Sequence, residues 1–127
     1  MTGFAAQYAE TLHKTCELSV VICDRDSVVA CAGVPKKEYA DRAISQELEK
    51  ICEKRSLYVR NEEDGKMLAI NDGGSHYVLC AMPIISEGDI VGCVAAMAPN
   101  DTDVCPEAVE IKLVQTAASF LGKQMES

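Results

Sequence analysis

The sequence predicts an α+β fold: a mostly antiparallel sheet with the N- and C-terminal helices on one face and short helices and loops on the other. Three observations predict it. Strand-like apolar runs come in pairs about tight turns, "VVICDRDSVVACA" and "MPIISEGDIVGCVAAM", so neighbouring strands are hairpin-joined and antiparallel. Helical periodicity is confined to the two ends and one short middle stretch. The second run of the long hairpin carries no charge from Ile90 to Ala98, so neither of its faces can meet water.

Taken in order, Phe4, Ala5, Tyr8, Ala9, Leu12 and Cys16 recur at helical spacing and predict an amphipathic helix over residues 3–16. The first hairpin turns at Asp24-Arg25-Asp26-Ser27 and is ended by Gly33 and Pro35. Residues 36–41 make a helical turn or two. Ser45 N-caps a helix that carries Leu48, Ile51 and Cys52 inward and Lys54 and Arg55 in its last turn. From Ser56 to Ser75 the pattern weakens: "RNEEDGK" and "NDGGS" are loops, and residues 67–70 form a strand between them. The long hairpin follows, then a final helix capped by Thr102 or Asp103, with Pro106 and Glu107 in its first turn.

The 127 residues, 48% hydrophobic and 25% charged, suit one globular domain over residues 1–127. The longest apolar stretch is nine residues, against ~18 or more for a membrane-spanning helix. The start "MTGFAAQYAE" has neither a basic lead nor a long apolar core, which predicts a cytoplasmic protein without a secretory signal. A net charge of −8, with no basic cluster longer than Lys36-Lys37, argues against a grip on nucleic acid. Seven cysteines is an odd number. Cys23, Cys31, Cys80 and Cys93 lie in strand-like runs and read as buried, reduced thiols.

No reaction centre assembles. "NDGGSHY" lacks the residues of a phosphate loop, and no cysteine pair has the spacing of a zinc site. His76 and Cys80 share a strand face but stand ~13 Å apart, at ~3.4 Å per residue. His13 and Cys16 are helical neighbours without a third partner. Cys105 lies near a helix N-terminus, a setting that lowers a thiol pKa, but stands alone. The chain reads as non-catalytic, with no metal and no cofactor.

The last helix carries two apolar stripes. Val109, Leu113, Thr116, Ala117 and Phe120 form one; Ile111, Val114, Ala118, Leu121 and Met125 form another about 135° away. A surface helix needs only one. The second stripe, with Phe4, Tyr8 and Leu12 of the first helix, predicts a seam between copies of the chain, as a homodimer or tetramer.

The element order and "MPIISEGDIVGCVAAM" resemble the GAF domain family of small-molecule sensors. "VVICDRDSVVACAG", "KKEYADRAISQELEK", "TAASFLGKQME" and the opening "YAETLHK" narrow the likeness to the C-terminal GAF domains of AbrB-type sporulation regulators, from about Phe4 to Glu126. The resemblance implies a regulator of forespore transcription in an endospore-forming bacterium. There an AbrB-type N-terminal domain binds DNA, and helices join subunits. A basic DNA-binding segment is absent from this sequence, so the favoured expectation is an excised regulatory domain that meets DNA only through the missing part, and the alternative is a stand-alone protein that senses or dimerises without touching DNA. The cyclic-nucleotide and bilin-attachment signatures of other GAF domains are absent too.

On this reading Val34, Tyr39, Ile44, Leu48, Ile51 and Tyr58 lie over the sheet on the side away from the terminal helices. The small residues Ala30, Cys31, Ala32, Gly33 and Ala81 beneath them leave room for an unidentified small molecule. The alternatives are a purely structural dimerisation module whose side chains fill that space, and a GAF-fold thiol-dependent reductase. The chain lacks the Trp-bearing core and closely spaced cysteines of the latter.

Overall fold

The computed structural model describes residues 2–125, with side chains from Gly3 onward; Met1, Glu126 and Ser127, the ends of the expected domain, lie outside them. The order is α1 (Thr2–Cys16), β1 (Val20–Asp24), β2 (Val28–Ala32), α2 (Lys36–Tyr39), α3 (Gln46–Glu53), β3 (Tyr58–Val59), β4 (His76–Ser86), β5 (Asp89–Pro99) and α4 (Ala108–Gln124). The strands form one antiparallel sheet in the order β2-β1-β5-β4-β3.

Both hairpins stand as expected. The β1–β2 turn is held by Asp24, whose Oδ1 accepts from the N–H groups of Asp26 and Ser27, both at 2.8 Å. Pro83 is tolerated in β4 because β3 reaches only Cys80 and Ala81, leaving that end of β4 an edge. A bulge between Val78 and Cys80 shifts the phase of β4, so Leu79 and Cys80 both fall on the helix side.

The sheet separates two cores. On one face α1 and α4 bring Ala5, Ala9, Leu12, Val114, Ala118 and Leu121 against Val20, Ile22, Val94 and Ala96. On the other, Val34, Tyr39, Ile44, Leu48 and Cys52 lie over Val21, Cys23, Cys31, Ala81, Cys93 and Ala95. Cys23, Cys31, Cys80 and Cys93 are buried free thiols, as is Cys52.

Two expectations about elements are overturned. Residues 67–70 form no strand: Met67 and Ala69 are buried through single backbone bonds, Val78 N–H to Met67 C=O at 2.8 Å and Ser45 N–H to Ala69 C=O at 2.9 Å. The fifth strand is instead the two-residue β3. The last helix starts at Ala108, with Glu107 rather than Thr102 or Asp103 at its N-cap and the Glu107 N–H donating to the Glu110 carboxylate. The delay has a cause. The Val104 N–H donates to the Tyr77 hydroxyl at 2.8 Å, and the buried Arg60 guanidinium donates to the Val104 carbonyl and the Asp103 carboxylate, at 2.6 and 3.0 Å. Residues 102–104 are thus strapped to the sheet and unavailable as a helix start.

Candidate functional site

The face away from the terminal helices gathers most of the side chains expected there. Cys31, Val34, Tyr39, Ile44, Leu48 and Ala81 are buried in one cluster, with Ile51 and Tyr58 packed against it. Gly33 does not belong. A side chain there would run into His13 and Ser19, on the α1 side of the sheet. Ala30 and Ala32 also face the helices. Side chains alternate across a strand, so consecutive residues cannot all line one face. Val21, Cys52, Met67, Ile70, Val78 and Met97 complete the cluster. Met67 and Ile70 come from a segment that forms no strand, and Val78 and Met97 from β4 and β5.

Each element reaches this face through a definite device. Ser45 caps α3 twice over: its hydroxyl accepts from the Leu48 N–H at 3.1 Å and donates to the Leu68 carbonyl at 2.7 Å. That fixes α3 with Leu48 and Cys52 inward. Tyr39 projects from α2, and its hydroxyl accepts from the His76 N–H at 3.0 Å and donates to the His76 carbonyl at 3.3 Å. Gly74, at φ +95°, has to be glycine, because a Cβ there would collide with that hydroxyl. Beside it the Ser75 hydroxyl donates to the Glu38 carboxylate at 2.6 Å and lies 2.9 Å from His76 Nδ1.

The electrostatics of this face favour neutral groups. Burial raises the Tyr39 pKa, against the bond to His76. Burial also raises the Cys31 thiol, with Lys36 opposing, and lowers His76, with Glu38 and Asp101 opposing. Cys93 and Cys52 are both held well above the usual thiol range, chiefly by thiol–thiol hydrogen bonding and by burial. On the helix side burial pushes the Cys80 thiol up to about 12. No group of three or more His, Cys, Asp or Glu placed to hold a metal occurs among the described residues. A cleft beside Ile44, Cys52, Ile90 and Gly92 reaches this core and holds about 20 Å³, and a wider one of about 280 Å³ borders it at Val28 and Cys31.

The expected seam requires correction. Leu12, Val114, Ala118 and Leu121 are buried in the chain's own core, so they are not available to a partner. Ile111 is half-buried against that core, and Met125 is half-buried. Among the described residues the large exposed apolar side chains of the helices are Phe4 (50%), Val109 (58%) and Phe120 (37%). Phe120 packs on Tyr8 with the rings tilted by 47° at 5.1 Å and meets Phe4 edge-on at 6.5 Å. Between α1 and α4 lies a groove of about 380 Å³ lined by these rings with Leu12 and Cys16. It is α4's other stripe that carries the exposed ring.

The comparisons decide the family. The model for "Stage V sporulation protein T C-terminal, transcription factor" matches residues 1–126. The chain belongs to that family. Stage V sporulation protein T of Bacillus subtilis (strain 168) is 36% identical over 125 residues, covering 97% of this chain and 67% of the relative. Among solved structures, the cofactor-binding GAF domain of the nutrient sensor CodY from Clostridium difficile superposes with a TM-score of 0.62 at 15% identity, over 95% of this chain and 85% of that one. The blue-light absorbing form of the Thermosynechococcus elongatus PixJ GAF domain gives 0.69 at 13%, over 98% and 86%. The sporulation family's domain thus has the GAF fold that the sequence patterns resemble. No helix among the described residues is long and apolar enough to cross a membrane.

Proposed function

We propose that this chain is the non-catalytic sensory and oligomerisation domain of a cytoplasmic sporulation transcription regulator. Residues 1–127 act as one domain. A small molecule binds on the face roofed by α2 and α3, copies of the chain join through the aromatic groove of α1 and α4, and DNA is contacted by another domain. The observation that carries the reading is the division of labour across the sheet. Long paired helices own one core, while the other is roofed by helices of four and eight residues tied down by side-chain-to-backbone bonds. Such a roof opens locally without unfolding the rest. A −8 charge supports leaving DNA to another domain. Relatives in fold, such as the cofactor-binding CodY domain, support a ligand.

The second reading, a purely structural module, is favoured by one fact: the cleft beside Cys52 that reaches the roofed core holds about 20 Å³, room for a water of ~10–15 Å³ and for nothing the size of a metabolite. A metabolite screen by thermal shift, followed by hydrogen exchange, separates the two. The sensory reading expects a compound that raises the melting temperature by mass action and protects residues 34–58 more than α1 and α4. An exhaustive screen without a stabilising compound sinks it and leaves the structural module.

A further inference from the structure

Tyr39 is an unusual way to fill a core. With Tyr77 it is the largest fully buried side chain among the described residues, at 0% exposure. Its ring is delivered by a helix of only four residues, which has no side-chain cap. Gly33 at φ +79° and Pro35 precede that helix, and Asp41 at φ +63° follows it, with its N–H donating to the Val28 carbonyl at 3.1 Å. On the far side of α2, between α1 and β2, lies an open cleft of about 280 Å³ bordered by Glu10, Val29, Ala30, Cys31, Lys36 and Ala40. The core side has no room for α2 to move, but this side does. At its tip the ring carries one hydroxyl, which serves both backbone groups of His76.

We propose that Tyr39 is the built-in occupant of a ligand site, holding the place of a small neutral phenol-like ring. Ligand entry swings α2 toward the cleft, withdraws the Tyr39 ring, and seats the ligand's hydroxyl on the His76 N–H and carbonyl. The ligand is flat because the space released is that of one ring. It carries a hydroxyl because leaving both His76 groups unpaired in the core is costly. It is neutral because the hydroxyl sits in a buried place beside the Glu38–Ser75 pair, where a second negative charge is disfavoured. The inference rests on the sensory reading of this face and adds to it the ligand class and the element that moves.

The test uses p-cresol, the side chain of tyrosine as a free molecule, with toluene as the same shape lacking the hydroxyl. Tyr39→Ala is expected to fold with a lowered melting temperature and to bind p-cresol saturably, at least ten-fold more tightly than toluene, with a shifted His76 amide resonance. Tyr39→Phe keeps the ring but releases His76. It is expected to bind p-cresol at least ten-fold more tightly than wild type, because the apparent affinity scales with the open fraction. It is also expected to alkylate at Cys31, beside the cleft, correspondingly faster. If Tyr39→Ala does not fold, Tyr39→Phe decides alone. Equal p-cresol affinity and equal Cys31 labelling in wild type and Tyr39→Phe overturn the proposal, as does equal binding of toluene and p-cresol to Tyr39→Ala. A metabolite that stabilises wild type while the Tyr39 ring resonances stay fixed overturns the plug yet keeps the sensory reading. p-Cresol binding as described, with no stabilising metabolite, keeps the plug and removes the sensor.

Discussion

On one face of the sheet α1 and α4, of 15 and 17 residues, lie across the strands and lock in place through small and aliphatic side chains: Ala5 and Ala9 from one, Val114, Ala117, Ala118 and Leu121 from the other. On the opposite face helices of four and eight residues alternate with loops, and specific bonds do what length does elsewhere: Ser45 to Leu68, Tyr39 to His76, Ser75 to Glu38. Two long helices share one continuous core, so neither leaves without exposing the whole face. The roof shares a core as well, but its helices are short and its polar ties, each worth about 1 kcal/mol net, lie at separate points. On the proposed sensory reading, the first cover is the permanent one and the second is the one that opens.

The sharpest break of that comparison is Leu121→Asp. A carboxylate at a fully buried position costs several kcal/mol, a large share of the ~5–15 kcal/mol that holds a domain together. Circular dichroism is expected to show loss of the cooperative unfolding transition. Phe120→Asp, one residue earlier but partly exposed, is expected to keep the fold within about 1 kcal/mol. It is expected to weaken self-association in sedimentation runs. If Leu121→Asp stays folded and merely becomes monomeric, the assignment of α4's inward stripe is wrong.

Leu48→Ala tests the other cover. Truncating a fully buried leucine costs about 2–5 kcal/mol, and the loss of hydrogen-exchange protection is expected to concentrate in residues 34–60. Loss spread evenly over α1 and α4 as well would mean that both covers unfold as one. Ser45→Ala is smaller, about 1–2 kcal/mol, because it removes a cap and the bond to Leu68 together. Its effect on α3 exchange is expected to exceed its effect on α4.

How far the sequence carries differs between the two covers for physical reasons. Strand pairs about "DRDS" and "SEGD" are legible because local turn chemistry and apolar runs coincide. The Ser45 cap is legible because its main partner, the Leu48 N–H, is three residues away. Which stripe of α4 faces inward is not legible, since both are apolar and only the position of the sheet chooses between them. Ala30 and Ala32 face the helices because side chains alternate along β2, and Gly33 leaves the roofed face because the strand ends at Ala32 and the chain turns at φ +79°. Residues 56–75 stay opaque because Arg60 acts on residues 43 and 44 positions away, and Met67 and Ala69 are buried without a ladder. Tyr39 is legible as a residue of the roofed face, but the His76 backbone that receives its hydroxyl lies 37 residues on.

The smallest effect expected comes from pH, at the seam where roof and sheet meet. His76 sits at the start of β4, next to Ser75, under the Tyr39 ring at 6.3 Å and within the influence of Glu38 and Asp101. Burial lowers its pKa, and the two carboxylates only partly offset this. Its folded value therefore lies below the ~6.5 of the free imidazole. Between those two values the unfolded chain binds the proton more readily than the folded one, so stability falls as pH drops through that window and is fully present above it. Solvent screens a partly exposed ring, so the contribution is small against the acid sensitivity of the many carboxylates. Comparison with His76→Gln isolates it. Both proteins are expected to lose stability between about pH 7.5 and 5.5, the range in which histidine changes charge, but wild type is expected to lose more. The extra loss is expected to appear as faster hydrogen exchange in α2 and at the His76 amide, not in α4. Parallel curves for the two proteins would show that His76 titrates without straining the seam. A steeper curve for His76→Gln would mean that Glu38 and Asp101 outweigh burial there.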